Sequence, residues 1–265
     1  MAVITKITTQ QKNSDRYNIF LDDKFAFSVD ADILIKFQLR KGMELDEFSL
    51  TEIHYSDDIR KAYNTGIAYL ARRIRSEKEI RDYFAKKEVA EPVVNEVVHR
   101  LKTQNYLNDG EFAAAFVRTQ MNTTDKGPDA IRIELAEKGI QKKIIQGCLQ
   151  EFSGELQFDK ARGLADKFFK KNANDSFRVL KQKLEGLLLR KGYSFDVIQK
   201  VIAKTATVEN KGDELQAIRY QGEKACRKYS NYTGYEYEQK MKQALYRKGF
   251  TIDLIDKFLD EQKQS

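Results

Sequence analysis

Residue types that commonly carry out chemistry are sparse in this chain of 265 residues. The histidines His54 and His99 have no further ligand at the spacing of a metal site, and Cys148 and Cys226 lie far apart. The adjacent acids Asp22-Asp23 suit a tight turn better than a metal pair. The sequence shows neither a serine–histidine constellation nor a glycine-rich phosphate loop. It therefore predicts no catalytic residues, no metal and no cofactor, and favours a protein that is not an enzyme.

Clusters of basic residues are the feature that indicates binding. Three arginines occur within four positions, at Arg72, Arg73 and Arg75. The planar guanidinium group suits phosphates and carboxylates, so these side chains either contact a partner or form pairs within the chain. The Ser76 and Glu79 that follow fit the cap of a helix rather than a binding site.

Further basic clusters follow in the C-terminal half of the chain. Together with the three arginines they form the candidate surface for a partner or DNA, and they comprise Lys167, Lys170, Lys171, Arg190, Lys191, Arg227, Lys228, Arg247 and Lys248. Four tyrosines lie in the same region, at Tyr229, Tyr232, Tyr235 and Tyr237. Such rings can stack on unpaired bases or pack against neighbouring helices, and we favour packing.

The positive charge of the chain is unevenly distributed. The net charge is +7, but residues 1–57 carry 7 Lys+Arg against 10 Asp+Glu, a net of −3, so the remainder carries +10. An excess of positive charge favours an anionic partner, because neutralised phosphates release their counterions. A lysine-rich helical surface without a partner would show the same excess, so charge alone leaves both interpretations open.

An apolar pattern that occurs four times predicts the elements that hold these clusters. The anchors are Val89, Ile140, Tyr193 and Phe250, and the positions −9, −5, +4, +5, +8 and +9 from each anchor are apolar in every copy. This spacing places the side chains on single faces of two successive α-helices. The turn between them reads Lys-Gly-apolar in copies two to four, which suits a left-handed helix end, whereas the first copy has Glu88 instead of glycine.

The anchors are 51, 53 and 57 residues apart, which leaves room for a leading helix in each unit. We predict these leading helices at residues 59–73, 109–121, 156–171 and 215–228. The first fifty residues instead alternate like strands, with a hairpin turn at Asp22-Asp23. The predicted fold is mainly α, an elongated, curved array of tandem three-helix repeats behind a small N-terminal β-hairpin module. The expected domains are the module, residues 1–57, and repeats at 58–106, 107–153, 154–208 and 209–265.

Three stretches carry a resemblance to a known family. They are YLARRIRSEKEI at residues 69–80, YLNDGEFA at residues 106–113, and Lys126-Gly127-Pro128 with the Lys138-Gly139-Ile140 turn behind it. In residues, order and spacing, the chain resembles the RecX family over essentially its whole length. Its longer members share the hairpin module and the extra C-terminal repeat.

The resemblance implies a regulator without catalytic residues. It would bind the RecA filament on single-stranded DNA, inhibit the ATPase, strand-exchange and coprotease activities of RecA, and so modulate recombination and repair in the SOS response. Two alternatives from other classes are a free-standing single-stranded nucleic-acid-binding helical repeat protein and a helical scaffold for a peptide. No run approaches the roughly 18 apolar residues of a membrane helix, so we expect no membrane partner. The two distant cysteines favour a reduced, cytoplasmic compartment, and we expect a monomer.

Overall fold

A four-stranded antiparallel sheet forms the N-terminal module of the computed structural model, which describes residues 1–11, 13–206 and 212–264. Its order is β3-β2-β1-β4, with β1 at Ala2–Gln10, β2 at Asn13–Leu21, β3 at Lys24–Asp30 and β4 at Glu44–Leu45. Helix α1 (Ala31–Lys36) follows β3 directly. The module is thus a small sheet that includes the predicted hairpin.

The hairpin turn lies where the sequence predicts it, whereas β4 was not predicted. Asp22 and Asp23 connect β2 to β3 with φ of 48° and 66°, the left-handed pair that a tight hairpin needs. Strand β4 has two residues, too few for an alternating pattern to be visible. It pairs with β1 because the chain turns back at Gly42, where φ is 84° and the N–H donates to the Ile4 carbonyl at 2.8 Å.

A buried carboxylate joins the sheet to the long helix α2 (Glu47–Leu70). Asp57, whose side chain is 3% exposed, accepts from Arg16 Nη2 at 2.9 Å and from the Asp30 backbone N–H at 2.8 Å. Lys61 lies one turn further along α2, with Nζ 2.9 Å from the same carboxylate. Burial acts to raise the pKa of Asp57, but these donors outweigh it and hold the pKa below its usual value.

The rest of the described chain is helical, and the helices group in threes as predicted. The first repeat contains α2 with α3 (Glu77–Ala85) and α4 (Glu91–Thr103), and the second contains α5 (Asp109–Thr123), α6 (Pro128–Glu137) and α7 (Lys142–Leu149). The third contains α8 (Gly154–Lys171), α9 (Phe177–Lys191) and α10 (Phe195–Ala206), and the fourth contains α11 (Gly212–Lys228), α12 (Gly234–Arg247) and α13 (Ile252–Gln264).

The leading helices begin within a few residues of the predicted positions, except the first. Helix α2 begins at Glu47 rather than at residue 59, and so it runs across the domain boundary expected between residues 57 and 58. It begins there because the Asp46 carboxylate caps it, accepting from the Ser49 N–H at 2.7 Å. The boundary expected between residues 208 and 209 lies outside the described residues.

The apolar positions of the repeated pattern form the cores. None of them is exposed in any of the four copies. Representative side chains that are at most 1% exposed are Phe84 in the first repeat, Leu135 in the second, Leu188 in the third and Leu245 in the fourth. The described chain divides into two compact units, residues 1–113 with 138–144 and residues 114–137 with 145–265.

Candidate functional site: the basic clusters

The arginine cluster lies between α2 and α3, and two of its three side chains bind other residues of the chain. Arg73 donates from Nη1 and Nη2 to the two carboxylate oxygens of Glu79, at 3.0 and 3.1 Å. Arg75 donates from Nε to the Tyr69 carbonyl at 3.1 Å, and its guanidinium carbon lies 3.5 Å from the centre of the Tyr69 ring. Arg72 is exposed and has no partner within the described ranges. Pairing within the chain therefore accounts for Arg73 and Arg75.

Glu79 connects this cluster to the second repeat. It completes a capping box with Ser76, whose Oγ accepts from the Glu79 N–H at 3.2 Å, and it also pairs with Lys138 Nζ at 3.1 Å. Burial acts to raise the pKa of Glu79, but the bonds from Arg73 and Lys138 outweigh it and lower the pKa. The Ser76 hydroxyl also donates to the Lys138 carbonyl at 2.9 Å. The cap predicted at Ser76 is confirmed, and it also forms a contact between repeats.

The same kind of contact occurs twice more, in the second compact unit. The Gly127 N–H, just before α6, donates to the Lys191 carbonyl in the turn after α9 at 2.7 Å. The Ser176 hydroxyl, which caps α9, donates to the Lys248 carbonyl in the turn after α12 at 2.5 Å. Each Lys-Gly turn thus meets the start of a helix in the preceding repeat. The sequence does not signal this role for Ser176, since a capping serine looks the same whether or not another repeat contacts it.

The contact at Ser176 joins the segments that carry two of the predicted basic clusters. Helix α8 ends at Lys170-Lys171, and six residues later α9 begins at Phe177, beside the Arg247-Lys248 end of α12. The first two turns of α9 add Arg178 and Lys181, which the sequence reading missed because a lone cation in an amphipathic helix gives no signal. We call this the junction surface, and it consists of the exposed side chains of Lys170, Lys171, Arg178, Lys181, Arg247 and Lys248.

A cleft opens at the junction surface between the third and fourth repeats. Its volume is about 580 Å³, and both Arg178 and Lys181 line it. The apolar part of the lining includes Tyr246 and Ile252, which are 53% and 60% exposed. Glu214 lies in the same lining, and its carboxylate accepts the Phe177 N–H, although burial raises its pKa. The cleft thus combines cations with an accessible aromatic ring.

The other predicted cations lie elsewhere. Arg190 and Lys191 end α9, and since a 15-residue helix is about 22 Å long, they are remote from its start. Lys167 is the exception, since it is exposed one turn before Lys170 and Lys171 on the same face of α8. Arg227 and Lys228 end α11, where positive charge is favoured by the helix dipole. The structure therefore separates the twelve predicted side chains into several surfaces.

Charge is concentrated around the junction surface. Residues 154–208 contain twelve lysines and arginines against six acids, a net of +6. Among the described residues, none of the six junction side chains forms an ion pair. Asp175, in the loop between α8 and α9, pairs with Lys183 at 2.7 Å rather than with a junction side chain. An anion approaching this surface therefore meets cations that are not already neutralised.

The tyrosines of the fourth repeat divide between the two expected roles. Tyr229 and Tyr237 pack against the core of that repeat. The Tyr237 hydroxyl also donates to Cys226 Sγ at 3.2 Å, and this bond, with burial, raises the pKa of Tyr237 to about 12. Tyr232 and Tyr235 are 38% and 79% exposed. The packing role that we favoured is therefore confirmed for Tyr229 and Tyr237, whereas the rings of Tyr232 and Tyr235 are accessible.

Two other kinds of site are absent from the described residues. In the part of the chain that the structure describes, no cluster of His, Cys, Asp and Glu side chains could hold a metal ion. No described helix combines the length and the apolar character that crossing a bilayer requires.

Family models match the chain along most of its length. The regulatory protein RecX N-terminal domain matches residues 2–46, the first three-helix domain residues 62–101, and the second residues 108–149. The third three-helix domain matches twice, at residues 155–202 and 212–259. The fourth repeat is therefore similar to the same family domain as the third.

Full-length relatives and solved structures agree with these matches. A regulatory protein RecX from Bacillus licheniformis is 48% identical, over 99% of this chain and 100% of its own length. One from Bacillus subtilis is 47% identical, again over 99% and 100%. A crystal structure of regulatory protein RecX aligns with a TM-score of 0.69 at 37% identity, covering 76% of this chain and 98% of that one. The structure of RecX from Lactobacillus salivarius gives 0.56 at 35% identity, covering 58% and 99%.

The tandem three-helix repeats, the N-terminal sheet and these matches lead to one conclusion. The chain belongs to the RecX family of regulatory proteins.

Proposed function

We propose that this chain acts by binding and not by catalysis, as a cytoplasmic monomer that contacts the RecA filament on single-stranded DNA. It restrains the filament, inhibits the ATPase, strand-exchange and coprotease activities of RecA, and so modulates recombination and repair. The observation that carries the proposal is the junction surface, where two repeats present six exposed cations without ion pairs among the described residues. Its placement on a member of the RecX family makes the nucleoprotein filament the partner to test.

The junction surface suits such a filament because the filament presents phosphates and protein side chains together. Its lysines and arginines can neutralise phosphates or carboxylates at several points. The exposed Tyr246 ring in the adjoining cleft can stack on an unpaired base or cover an apolar side chain. Contacts from several repeats add to one another, so the whole chain should bind better than any single repeat.

A steady-state ATPase assay tests the proposal directly. RecA is assembled on single-stranded DNA at physiological salt, and the chain is titrated from zero to equimolar. We expect ATP hydrolysis to slow at substoichiometric amounts of the chain, and we expect little change when the DNA is omitted. Unchanged hydrolysis at every ratio would contradict the proposal.

Charge reversal tests the assigned surface. The variant Lys170→Glu, Lys171→Glu, Arg178→Glu should lose at least tenfold in affinity for the filament, the equivalent of about 1.4 kcal/mol. Its circular dichroism should match that of the parent. Its melting temperature should fall only slightly, because exposed charges contribute little to stability even though acidic side chains are disfavoured at the end of α8.

The matched control reverses three exposed cations of the N-terminal module, as Lys24→Glu, Arg40→Glu, Lys41→Glu. It changes the net charge by the same amount, so a loss confined to the first variant assigns binding to the junction surface. Equal losses would show that only the overall charge matters. Tight binding of the parent to bare single strands without ATPase inhibition would favour the free-standing nucleic-acid-binding protein.

A further inference from the structure

The turn glycines of repeats two to four are required by the contacts between repeats. Each lies so close to the preceding repeat that a Cβ atom in its place would collide with it. The collisions are Gly139 with Lys78 Cβ at 2.8 Å, Gly192 with the Ala130 backbone nitrogen at 2.3 Å, and Gly249 with Ser176 Oγ at 2.5 Å. Glycine therefore serves two purposes here, since all three also have φ between 80° and 89°.

The first repeat has the same turn with a different residue. Glu88 has φ of 57°, and the Val89 N–H donates to the Phe84 carbonyl at 3.2 Å, which is the bond that also closes the turns of the third and fourth repeats. Glu88 is exposed. Among the described residues, the Lys87 carbonyl accepts no hydrogen bond from another repeat.

Glu88 thus adopts a left-handed backbone conformation that costs less free energy for glycine than for a residue with a Cβ atom. Because the first turn is also left-handed at this position, the Glu88 Cβ atom corresponds to the added atom that would collide at Gly139, Gly192 and Gly249. Among the described Lys-X-apolar turns, the strained residue lies at the one that no other repeat contacts.

We propose that Glu88 closes the open end of the series of repeats. Its Cβ atom prevents the first turn from docking on the start of another helix, and so prevents a second copy of the chain from adding head to tail. The helix start that a second copy would offer is that of α12, where nothing in the described structure lies within 4 Å of a Cβ atom added at Gly234. There Thr233 occupies the N-cap position and its side chain makes no capping hydrogen bond. This inference does not depend on binding to RecA or to DNA, and it shares with the proposed function only the monomeric state of the parent.

Sedimentation velocity on the full-length chain tests the inference, with the parent, Glu88→Gly and Glu88→Ala compared over a wide range of concentration. Glu88→Gly should gain mass as its concentration rises, because the obstructing Cβ atom is gone. It should also melt at a higher temperature than the parent when dilute, because the left-handed strain is relieved. Glu88→Ala removes the charge but keeps the Cβ atom, so it should stay monomeric like the parent.

A double variant identifies the contact. Adding Thr233→Phe, at an exposed position, to Glu88→Gly should abolish the association by obstructing the start of α12. Four results would overturn the inference: a parent that associates, a Glu88→Gly chain that stays monomeric at every concentration, a Glu88→Ala chain that associates equally, or association that persists in the double variant.

Discussion

At the scale of single residues, the arginine cluster shows how a charge can be visible in sequence while its partner is not. Arg72, Arg73 and Arg75 look alike in the sequence. In the structure Arg73 forms an ion pair with Glu79 and Arg75 stacks on Tyr69, whereas Arg72 is exposed. The difference arises because the chain turns between α2 and α3, which decides which guanidinium group faces an acid. In residues 69–80, which carry part of the family resemblance, two of the three arginines thus stabilise the fold rather than being free for a partner.

This difference predicts unequal effects of equivalent substitutions. Arg73→Ala should lower the free energy of unfolding by up to about 1 kcal/mol, because the bidentate pair with Glu79 is partly exposed and screened. Arg72→Ala should leave stability unchanged within error. Urea unfolding followed by circular dichroism measures both, and equal losses would show that the pair with Glu79 does not contribute.

The carboxylate of Asp57 makes the N-terminal module sensitive to acid. Its pKa is lower in the folded chain, so its contribution is complete above the pKa of the unfolded state and is lost as the pH falls through the folded value. Asp57→Asn should cost roughly 2 kcal/mol at neutral pH, because Arg16 loses its charged acceptor. The difference from the parent should shrink below about pH 4 when unfolding is measured as a function of pH. A difference that is constant with pH would contradict this assignment.

At the scale of the elements, each three-helix repeat depends on its apolar face and on its turn. The apolar face can be predicted from the local sequence, because a period of 3.6 residues specifies which side chains point inward. The predicted register can be checked with neighbouring leucines. Leu188 is fully buried in the third repeat, whereas Leu189 is 50% exposed.

Leu188→Ala should therefore cost about 2–5 kcal/mol, while Leu189→Ala should change stability by less than about 0.5 kcal/mol. Leu245→Ala should behave like Leu188→Ala, since Leu245 is 1% exposed in the fourth repeat. Thermal or urea unfolding gives the comparison. A parent-like Leu188→Ala would show that the register is wrong.

Two glycines of the third repeat should respond to alanine in opposite directions. Gly192→Ala should destabilise by more than about 1 kcal/mol, because φ is 86° and the added Cβ would lie 2.3 Å from the Ala130 nitrogen. Gly163→Ala should stabilise by about 0.5–1 kcal/mol, because it lies inside α8 with nothing within 4 Å of the added atom. Equal signs in unfolding experiments would contradict the account of the Lys-Gly turns.

At the scale of the whole molecule, the uneven charge should appear in how binding depends on salt. If the junction surface neutralises phosphates, affinity for the filament falls with salt, with a log–log slope near −0.7 per phosphate on single strands. The charge-reversed variant of Lys170, Lys171 and Arg178 should have a shallower slope than the parent. Fluorescence anisotropy on labelled filaments at several salt concentrations measures both slopes. Identical slopes would place the phosphate contacts elsewhere.

Four features could be predicted from the amino-acid sequence: the mainly helical fold, the register of the four repeats, the hairpin at Asp22-Asp23 and the cap at Ser76. Each of these depends on residues close together in the chain, whose periodicity or backbone preference is visible locally. Tertiary structure alone decided that strand β4 pairs with β1 and that α2 begins at Glu47. It also decided which cations share a surface, because Lys170-Lys171 and Arg247-Lys248 are more than seventy residues apart and their segments are joined by contacts such as the Ser176–Lys248 bond. Contacts between distant segments depend on how the repeats dock, and no local pattern encodes that.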